Sequence, residues 1–347
     1  MTHNNIRLNR ATREWVICAP NRKGRPQEFL NRKPPIVEEK STGHCPFCDR
    51  LPSESEKILL EIPALSGEGW QVRVVPNKYP VLSADVAIKR SLSGVYYLEL
   101  PGYGHHEIVI ETPDHHTTLA LMSVPEVAAV IEAYYLRYLD LMCIRENLWV
   151  IIFRNHGKTA GASMQHPHSQ IIATPIVPRH RRWHEDEAQR YFDEWGRCAY
   201  CDMLEFENDE QLRVVGSNEH FLAFIPFAAE VPFEVWILPK RHQSEFGAMT
   251  AEQRLAFADI LQGILSRIYH KLNNPDYNYA IITAARYKIE EPQLHWYCQI
   301  RPRLTTAAGF ELGSGISINP SLPEVDALFL NDGNTDSKTR HNPQIET

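Results

Sequence analysis

The sequence predicts an α+β fold of two equivalent modules, each a mainly antiparallel sheet with one long helix packed on it. Three observations carry this prediction: a diverged internal repeat, apolar runs of strand length in each copy, and one capped segment of helical periodicity in each. The first half has Cys45-Pro-Phe-Cys48, then Glu107-Ile-Val-Ile-Glu-Thr-Pro-Asp-His115. The second has Cys198-Ala-Tyr-Cys201, then Glu234-Val-Trp-Ile-Leu-Pro-Lys-Arg-His242. Both apolar runs meet a proline just before a histidine, and a methionine (Met122 or Met249) follows each histidine at the same interval. Ser123 with Glu126, and Thr250 with Gln253, then fit capping boxes ahead of segments 127–142 and 255–272, whose apolar residues recur at helical spacing. A strand signal comes next in each half, Leu148-Trp-Val-Ile-Ile-Phe153 and Tyr279-Ala-Ile-Ile-Thr283. The last strand carries His166-x-His168-x-Gln170 in one copy and His295-x-Tyr297-x-Gln299 in the other. Chance supplies one such match, hardly an ordered series. The expected organisation is a first module over 1–180, a second over 181–331 and a flexible polar tail over 332–347. Residues 31–44 and the link at 177–197 read as extended polar segments.

Composition narrows the function. At 347 residues and 43% hydrophobic, the chain can bury a large core. A net charge of −7 argues against nucleic acid or a membrane surface as partner, both of which need a basic footprint. There is no apolar run of membrane-spanning length and no signal-peptide pattern at the start, so a cytoplasmic protein is expected. Seven cysteines, including two Cys-x-x-Cys pairs, favour metal or redox chemistry over a disulfide framework there.

Each half supplies two cysteines and two histidines in one order: Cys45, Cys48, His115, His166 and Cys198, Cys201, His242, His295. The histidines lie 51 residues apart in the first half (166 minus 115) and 53 in the second (295 minus 242). Two thiolates and two imidazoles suit a closed tetrahedral Zn2+ site of the structural kind. The first set is expected to bind zinc; the second is either occupied or a relic. His116 competes with His115 as ligand, and the repeat favours His115.

The repeat also isolates the chemistry, because position 168 is histidine where its counterpart, Tyr297, is not. A neutral imidazole attacks phosphorus well, and a phosphoramidate intermediate splits a transfer into two steps. His168 is therefore the candidate nucleophile, with His166 held on metal beside it. Gln170 can donate a hydrogen bond to a phosphoryl oxygen but cannot supply a proton, which suits a leaving group that departs as a phosphate. Upstream, Asn155, Gly157, Gly161 and Ser163 are residue types that build donor sites for phosphate oxygens.

Phe153-x-Asn155-x-Gly157, Gly161-x-Ser163 and His166-Pro-His168-x-Gln170 together closely resemble the active-site segment of the galactose-1-phosphate uridylyltransferase family, the transferase branch of the histidine-triad superfamily. The likeness spans nearly the whole chain. Trp15-Val-Ile-Cys-Ala-Pro20, with Arg22 and Arg25, resembles the family's N-terminal phosphate-binding arm, and Asn77 falls where the family contacts the nucleoside. Phe227-Ala-Ala-x-x-Pro-Phe-Glu-Val-Trp236 and Ala308-Gly-Phe-Glu-Leu-Gly-Ser-Gly315 look like a subgroup that includes plant ADP-glucose phosphorylase. The resemblance implies two histidine-triad-like modules and ping-pong transfer through a nucleotidyl-His168. The substrates would be a nucleoside-diphosphate sugar and a sugar 1-phosphate, with UDP-glucose and a hexose 1-phosphate leading. Adenylyl transfer from ADP-glucose to phosphate is the alternative; a non-catalytic, zinc-stabilised nucleotide-binding protein is the alternative of another class. It further implies α-phosphate contacts from Asn155, Gly161, Ser163 and Gln170, phosphate neutralisation by Arg22 and Arg25, and zinc on Cys45, Cys48, His115 and His166. A C-terminal loop with Phe310 and Glu311 would reach a neighbouring subunit, so a homodimer is implied.

The second metal set departs from the best-known uridylyltransferases, which use a glutamate there, and the loop around Phe310 lacks their lysine and tyrosine. Both departures weaken galactose 1-phosphate as the acceptor. Among the remaining residues, His105 and His106 are expected to be exposed or structural. Cys18, Cys143 and Cys298 are expected to be buried thiols, and Tyr134, Tyr135 and Tyr138 to be core.

Overall fold

In the computed structural model, residues 3–22, 45–48 and 57–332 are described. Ten strands form one antiparallel sheet. Five come from the first half: β3 (Leu60–Pro63), β4 (Trp70–Pro76), β7 (His105–Ile110), β8 (Trp149–His156) and β9 (His168–Thr174). Five come from the second: β10 (Val214–Ser217), β11 (Phe221–Phe224), β12 (Val235–Pro239), β13 (Tyr277–Ile282) and β14 (Tyr297–Pro302). The order β3-β4-β7-β9-β8-β13-β14-β12-β11-β10 reads the same from both edges, each first-half strand matched by its repeat counterpart. The expected α+β duplication is present, and the halves meet through the β8–β13 ladder, which pairs Asn155 with Asn278 and Phe153 with Ala280.

One face of this sheet carries both long helices. α1 (Val124–Cys143) and α4 (Ala251–Lys271) start at the expected capping boxes: Glu126 Oε2 accepts the Ser123 N–H at 2.8 Å, and Thr250 and Gln253 exchange reciprocal bonds. Their apolar stripes (Val127, Ile131 and Tyr134; Phe257, Leu261 and Ile264) bury Val150, Ile152, Ile171, Ala173, Tyr279 and Ile281 of the sheet. Each fully buried aliphatic chain contributes about 1.5–3 kcal/mol. Tyr134 and Tyr138 are core as expected, with Tyr135 packed against it.

The other face differs between the halves. In the second, α2 (Arg179–Trp195) and α3 (Ala199–Glu210) cover it, packing Tyr200 and Leu204 on Leu222, Phe224, Trp236 and Tyr297. The link at 177–197 is thus a helix rather than an extended segment. Its interior is almost wholly polar, burying His184, Glu185, Glu187 and Ala188, so no apolar period marked it. Its start after Pro178 and its stop at Gly196, with φ of 67°, were the available signals.

A smaller sheet joins β1 (Asn5–Leu8), β2 (Trp15–Cys18) and β15 (Ser317–Asn319), with β15 parallel to β2. It joins the N-terminal arm to the strand that follows the short helix α5 (Gly309–Ser314), and Arg7 pairs with Glu324 of the closing helix α6 (Pro323–Asn331) at 2.9 Å. A hairpin of β5 (Ser91–Ser93) and β6 (Tyr97–Glu99) stands exposed between β4 and β7. Segment 31–44 and the tail beyond Asp332 lie outside the described residues. Cys18 and Cys298 are buried as expected; Cys143 is exposed, because α1 ends there and its last turn rotates that position off the core.

Behind the first-half sheet lies a buried polar network. Glu111 takes the Arg154 Nε at 3.0 Å and the Ser169 hydroxyl, and Ser169 also meets Tyr134. Tyr134 reaches Tyr279 at 2.6 Å, and Arg154 reaches Tyr277 at 2.7 Å. Glu111 and Arg154 are fully enclosed, so removing one partner strands the other's charge. Arg154→Met is expected to cost about 3–5 kcal/mol, read in urea denaturation as a lower midpoint at an unchanged slope.

Candidate active site and metal centres

Alternation along β9 decides which side chains face which way. Ser169, Ile171 and Ala173 point toward the helices, so His168 and Gln170 point to the opposite face, as do Phe153 and Asn155 on β8. Among the described residues no helix of the first half covers that side, whereas its second-half counterpart is sealed. There Tyr297 stacks on Trp236 at 4.5 Å and on Tyr200 at 5.5 Å, beneath Arg181 of the linking helix. Among the described residues, the repeat therefore has histidine on the half whose sheet face no helix covers and tyrosine on the half that is covered.

Both Cys2His2 sets assemble. In each, the two thiol sulfurs and two imidazole nitrogens lie within 4.8 Å of one another. Cys48 Sγ lies 3.2 Å from His115 Nδ1 and 3.4 Å from His166 Nδ1; Cys201 Sγ lies 3.3 Å from His242 Nδ1 and 3.6 Å from His295 Nδ1. His166 Nε2 donates to Thr112 O at 2.8 Å, and His295 Nε2 donates to Pro239 O at 3.0 Å. That outer bond fixes the tautomer with the inner nitrogen unprotonated, as a metal ligand requires. Cys198 is held far below the usual thiol range, chiefly by its bond with Cys201 and then by its two imidazoles. The donor sets fit a metal ion on both sides. His115, not His116, is the inward histidine; His116 packs edge-on against it with ring centres 5.0 Å apart.

His168 lies outside the metal cluster and is oriented by the backbone. Its Nδ1 donates to His166 O at 2.9 Å, so the proton sits there and the Nε2 lone pair is left for attack. Among the described residues Nε2 has no hydrogen-bond partner. Burial lowers the His168 pKa, keeping the ring neutral. The side chain is 5% exposed, and Phe47, from between the metal cysteines, lies against it with ring centres 5.9 Å apart.

Two amides, of Gln170 and Asn77, meet at His106. Gln170 Oε1 sits 2.7 Å from His106 Nε2, and the Val81 N–H points at His106 Nδ1 at 3.2 Å. A backbone N–H can only donate, so Nδ1 accepts, Nε2 carries the proton and Gln170 is met at its oxygen. Asn77 Nδ2 also lies 3.0 Å from that Nε2, but its Oδ1 is taken by the Tyr79 N–H. A ring nitrogen offers one in-plane position, and the shorter contact, to Gln170, occupies it. Gln170 thus keeps its NH2 group to donate. Its repeat mate Gln299 is turned the other way, giving its NH2 to Glu234 at 2.7 Å. His106 is buried and hydrogen-bonded, the structural one of the two roles expected of it, and its partner is Gln170. Nothing in its immediate sequence signalled this, because the contact depends on the β7–β9 register.

The turn before β9 is also built. Gly157 (φ 83°) and Gly161 (φ 89°) occupy conformations that disfavour a side chain, bracketing a short 3-10 turn over Lys158–Ala160. Asp276 Oδ2, from the second half, accepts the Thr159 N–H at 2.6 Å and its hydroxyl at 2.5 Å. Ser163 is exposed on the same loop. Arg22 is exposed, just past a turn that closes on Ala19; Arg25 lies outside the described residues. Phe310 and Glu311 sit on α5, where Glu311 caps the Ala308 N–H at 3.0 Å. Among the described residues, no hydrogen bond, ion pair or ring contact joins α5 to His168, Gln170 or Asn155.

Comparison with known proteins follows this geometry. The family description "Galactose-1-phosphate uridyl transferase, N-terminal domain" matches residues 1–178, and the C-terminal domain of the same family matches 184–308. The chain is 34% identical over 323 residues to an ADP-glucose phosphorylase of Arabidopsis thaliana, covering 92% of this chain and 90% of that protein. It is 30% identical over 338 residues to the galactose-1-phosphate uridylyltransferase of Thermotoga maritima, covering 94% and 97%. The crystal structure of the Arabidopsis ADP-glucose phosphorylase with bound ADP-glucose superposes with a TM-score of 0.79 at 31% identity, over 95% of this chain and 99% of that one. A solved uridylyltransferase gives 0.72 at 26%, over 94% and 96%. The chain belongs to the galactose-1-phosphate uridylyltransferase family. It is an enzyme, a nucleotidyltransferase, and among its described residues no helix is long and apolar enough to cross a membrane.

Gly157→Ala is expected to destabilise the protein by about 1–3 kcal/mol. The new Cβ would stand 1.8 Å from Asp276 Oδ1, so Asp276 must leave Thr159. A lower melting temperature with unchanged metal content is the expected readout.

Proposed function

We propose that this enzyme transfers a nucleoside monophosphate from a nucleoside-diphosphate sugar to a sugar 1-phosphate through a nucleotidyl-His168. The observation that carries the reading is the Nδ1–H bond to the 166 carbonyl, which aims the Nε2 lone pair away from the backbone. His168 Nε2 forms a bond to the α-phosphorus while the bridging oxygen leaves with its electron pair on the sugar 1-phosphate. The ring becomes cationic, and the carbonyl on Nδ1 stabilises that charge. No proton is needed by the leaving phosphate, in keeping with Gln170 where an acid would otherwise stand. In the second step an acceptor phosphate oxygen attacks the same phosphorus and His168 departs. Asn155, Ser163, Gly161 and Gln170 would hold the phosphoryl oxygens, Asn77 the nucleoside, Arg22 and Arg25 the charge, and Phe310 with Glu311 the hexose of a neighbouring subunit.

The leading substrates are UDP-glucose and a hexose 1-phosphate, in line with the family description and the full-length likeness to the Thermotoga enzyme. The second reading, adenylyl transfer from ADP-glucose to phosphate, is favoured by the higher identity to the plant phosphorylase and by a loop around Phe310 that carries no charge apart from Glu311. Zinc is the metal we assign to both Cys2His2 sets, because two thiolates with two imidazoles match its preference. The working form is taken as a cytoplasmic homodimer of chains with modules at 1–180 and 181–331.

Incubation with labelled UDP-glucose and labelled ADP-glucose separately, without acceptor, is expected to leave nucleotide label on the protein from one of them. Label from neither would sink both readings. His168→Gly is expected to lose about 10⁴-fold or more in turnover, as removal of a nucleophile does, while fold and metal content persist. Elemental analysis is expected to find two zinc ions per chain. Cys201→Ser should lower the second-site content while leaving label capture at His168, whereas Cys48→Ser should weaken both.

A further inference from the structure

We propose that Asn278, on β13 of the half without a nucleophile, is a positioning residue for the transfer at His168. The inference rests on the nucleotidyl-transfer reading and adds a part of the site that lies outside the catalytic half. Asn278 is register-paired with Asn155 across the β8–β13 ladder. Its side-chain nitrogen lies 2.8 Å from Ala160 O and 2.8 Å from Asn155 Oδ1. The backbone carbonyl fixes the chemistry: it can only accept, so the Asn278 atom facing it must be the NH2 group. The second hydrogen of that group then meets Asn155, which must present its oxygen.

Asn155 is left with one orientation. Its carbonyl is consumed by the second half, and its NH2 faces the Gly161 turn, 3.9 Å from where a side chain on that glycine would begin. On β8 it lies two residues beyond Phe153, which pairs with Gln170 on β9, so it shares the open face beside His168. The donor is thereby aimed before substrate arrives, as stabilisation of developing phosphoryl charge requires. An unheld asparagine would spend part of its time with oxygen toward the phosphate, repelling it. The Ala160 bond ties the same asparagine to the phosphate turn, so one side chain sets both the amide and the loop.

The test is a double-substitution cycle on the full chain, reading the single-turnover rate of label transfer onto the protein. Asn278→Asp has nearly the same shape but cannot donate when ionised, so Asn155 must turn over to meet it. The rate is expected to fall about 10²-fold, comparable to loss of one oxyanion donor, with kcat and kcat/KM falling together and metal content unchanged. In an Asn155→Ala background the same change should cost about tenfold or less, because the amide it acts through is gone and only its bond to Ala160 O remains to be lost. Asn278→Ser, which introduces no charge and retains one donor, should recover part of the rate, and it carries the same cycle if the aspartate variant does not fold. Equal losses in both backgrounds would overturn the proposal, as would a lowered melting temperature with wild-type transfer. If the unaltered protein takes no label from either sugar nucleotide, the transfer reading fails first, and positioning of its donor falls with it.

Discussion

The antiparallel ladder between β8 and β13 is the constraint on which the rest of this molecule depends. It turns two five-stranded sheets into one of ten and places second-half side chains directly against the half that carries His168. On the open face it sets Asn278 against Asn155 and Asp276 against Thr159. On the helix face it sets Tyr277 against Arg154 and Tyr279 against Tyr134. A shift by one residue would exchange these faces, sending the polar tyrosines to the face of His168 and the asparagine into the core. Register is therefore a functional property here as well as a structural one.

The duplication has diverged in what covers the sheet more than in the sheet itself. Strand order, long helices, capping boxes and metal ligands are kept in both halves. The linking helix fills the space above Tyr297 with Arg181 and buries His184, Glu185 and Ala188. Tyr297 packs there in an aromatic stack with Trp236 and Tyr200.

Electrostatic order at the site comes from fixing tautomers and amide orientations by bonds whose direction is unambiguous. Backbone carbonyls define the protonated nitrogen of His166, His168 and His295, and a backbone N–H defines that of His106. From those anchors the facing groups of Gln170 and Asn155 follow. The contrast with Gln299, whose NH2 is spent on Glu234, shows that the same residue type at the same repeat position is set by its neighbours. Buried polar groups of this kind are costly unless satisfied, so such a network is held in one arrangement.

Much of this was legible in the chain alone. Strand alternation, capping boxes and the Cys-x-x-Cys and histidine spacings are local, and because they occur twice the repeat confirmed them against each other. His168 stood out because its partner position was tyrosine. The linking helix escaped because its contacts are made by polar side chains that carry no apolar period. Cys143 was misplaced because burial near a helix end depends on where the last turn stops. His106 and Asn278 were invisible for a different reason: each acts on a residue far away in sequence, through a strand pairing that no local pattern encodes. The sequence by itself determined most of the elements, the two Cys2His2 sets and the one position, His168, where the repeat breaks, since these follow from residue type and spacing. Only the tertiary structure decided which sheet face the described helices cover and which way the amides of Gln170 and Asn155 turn, because cross-strand register and helix cover bring together groups that the chain keeps far apart.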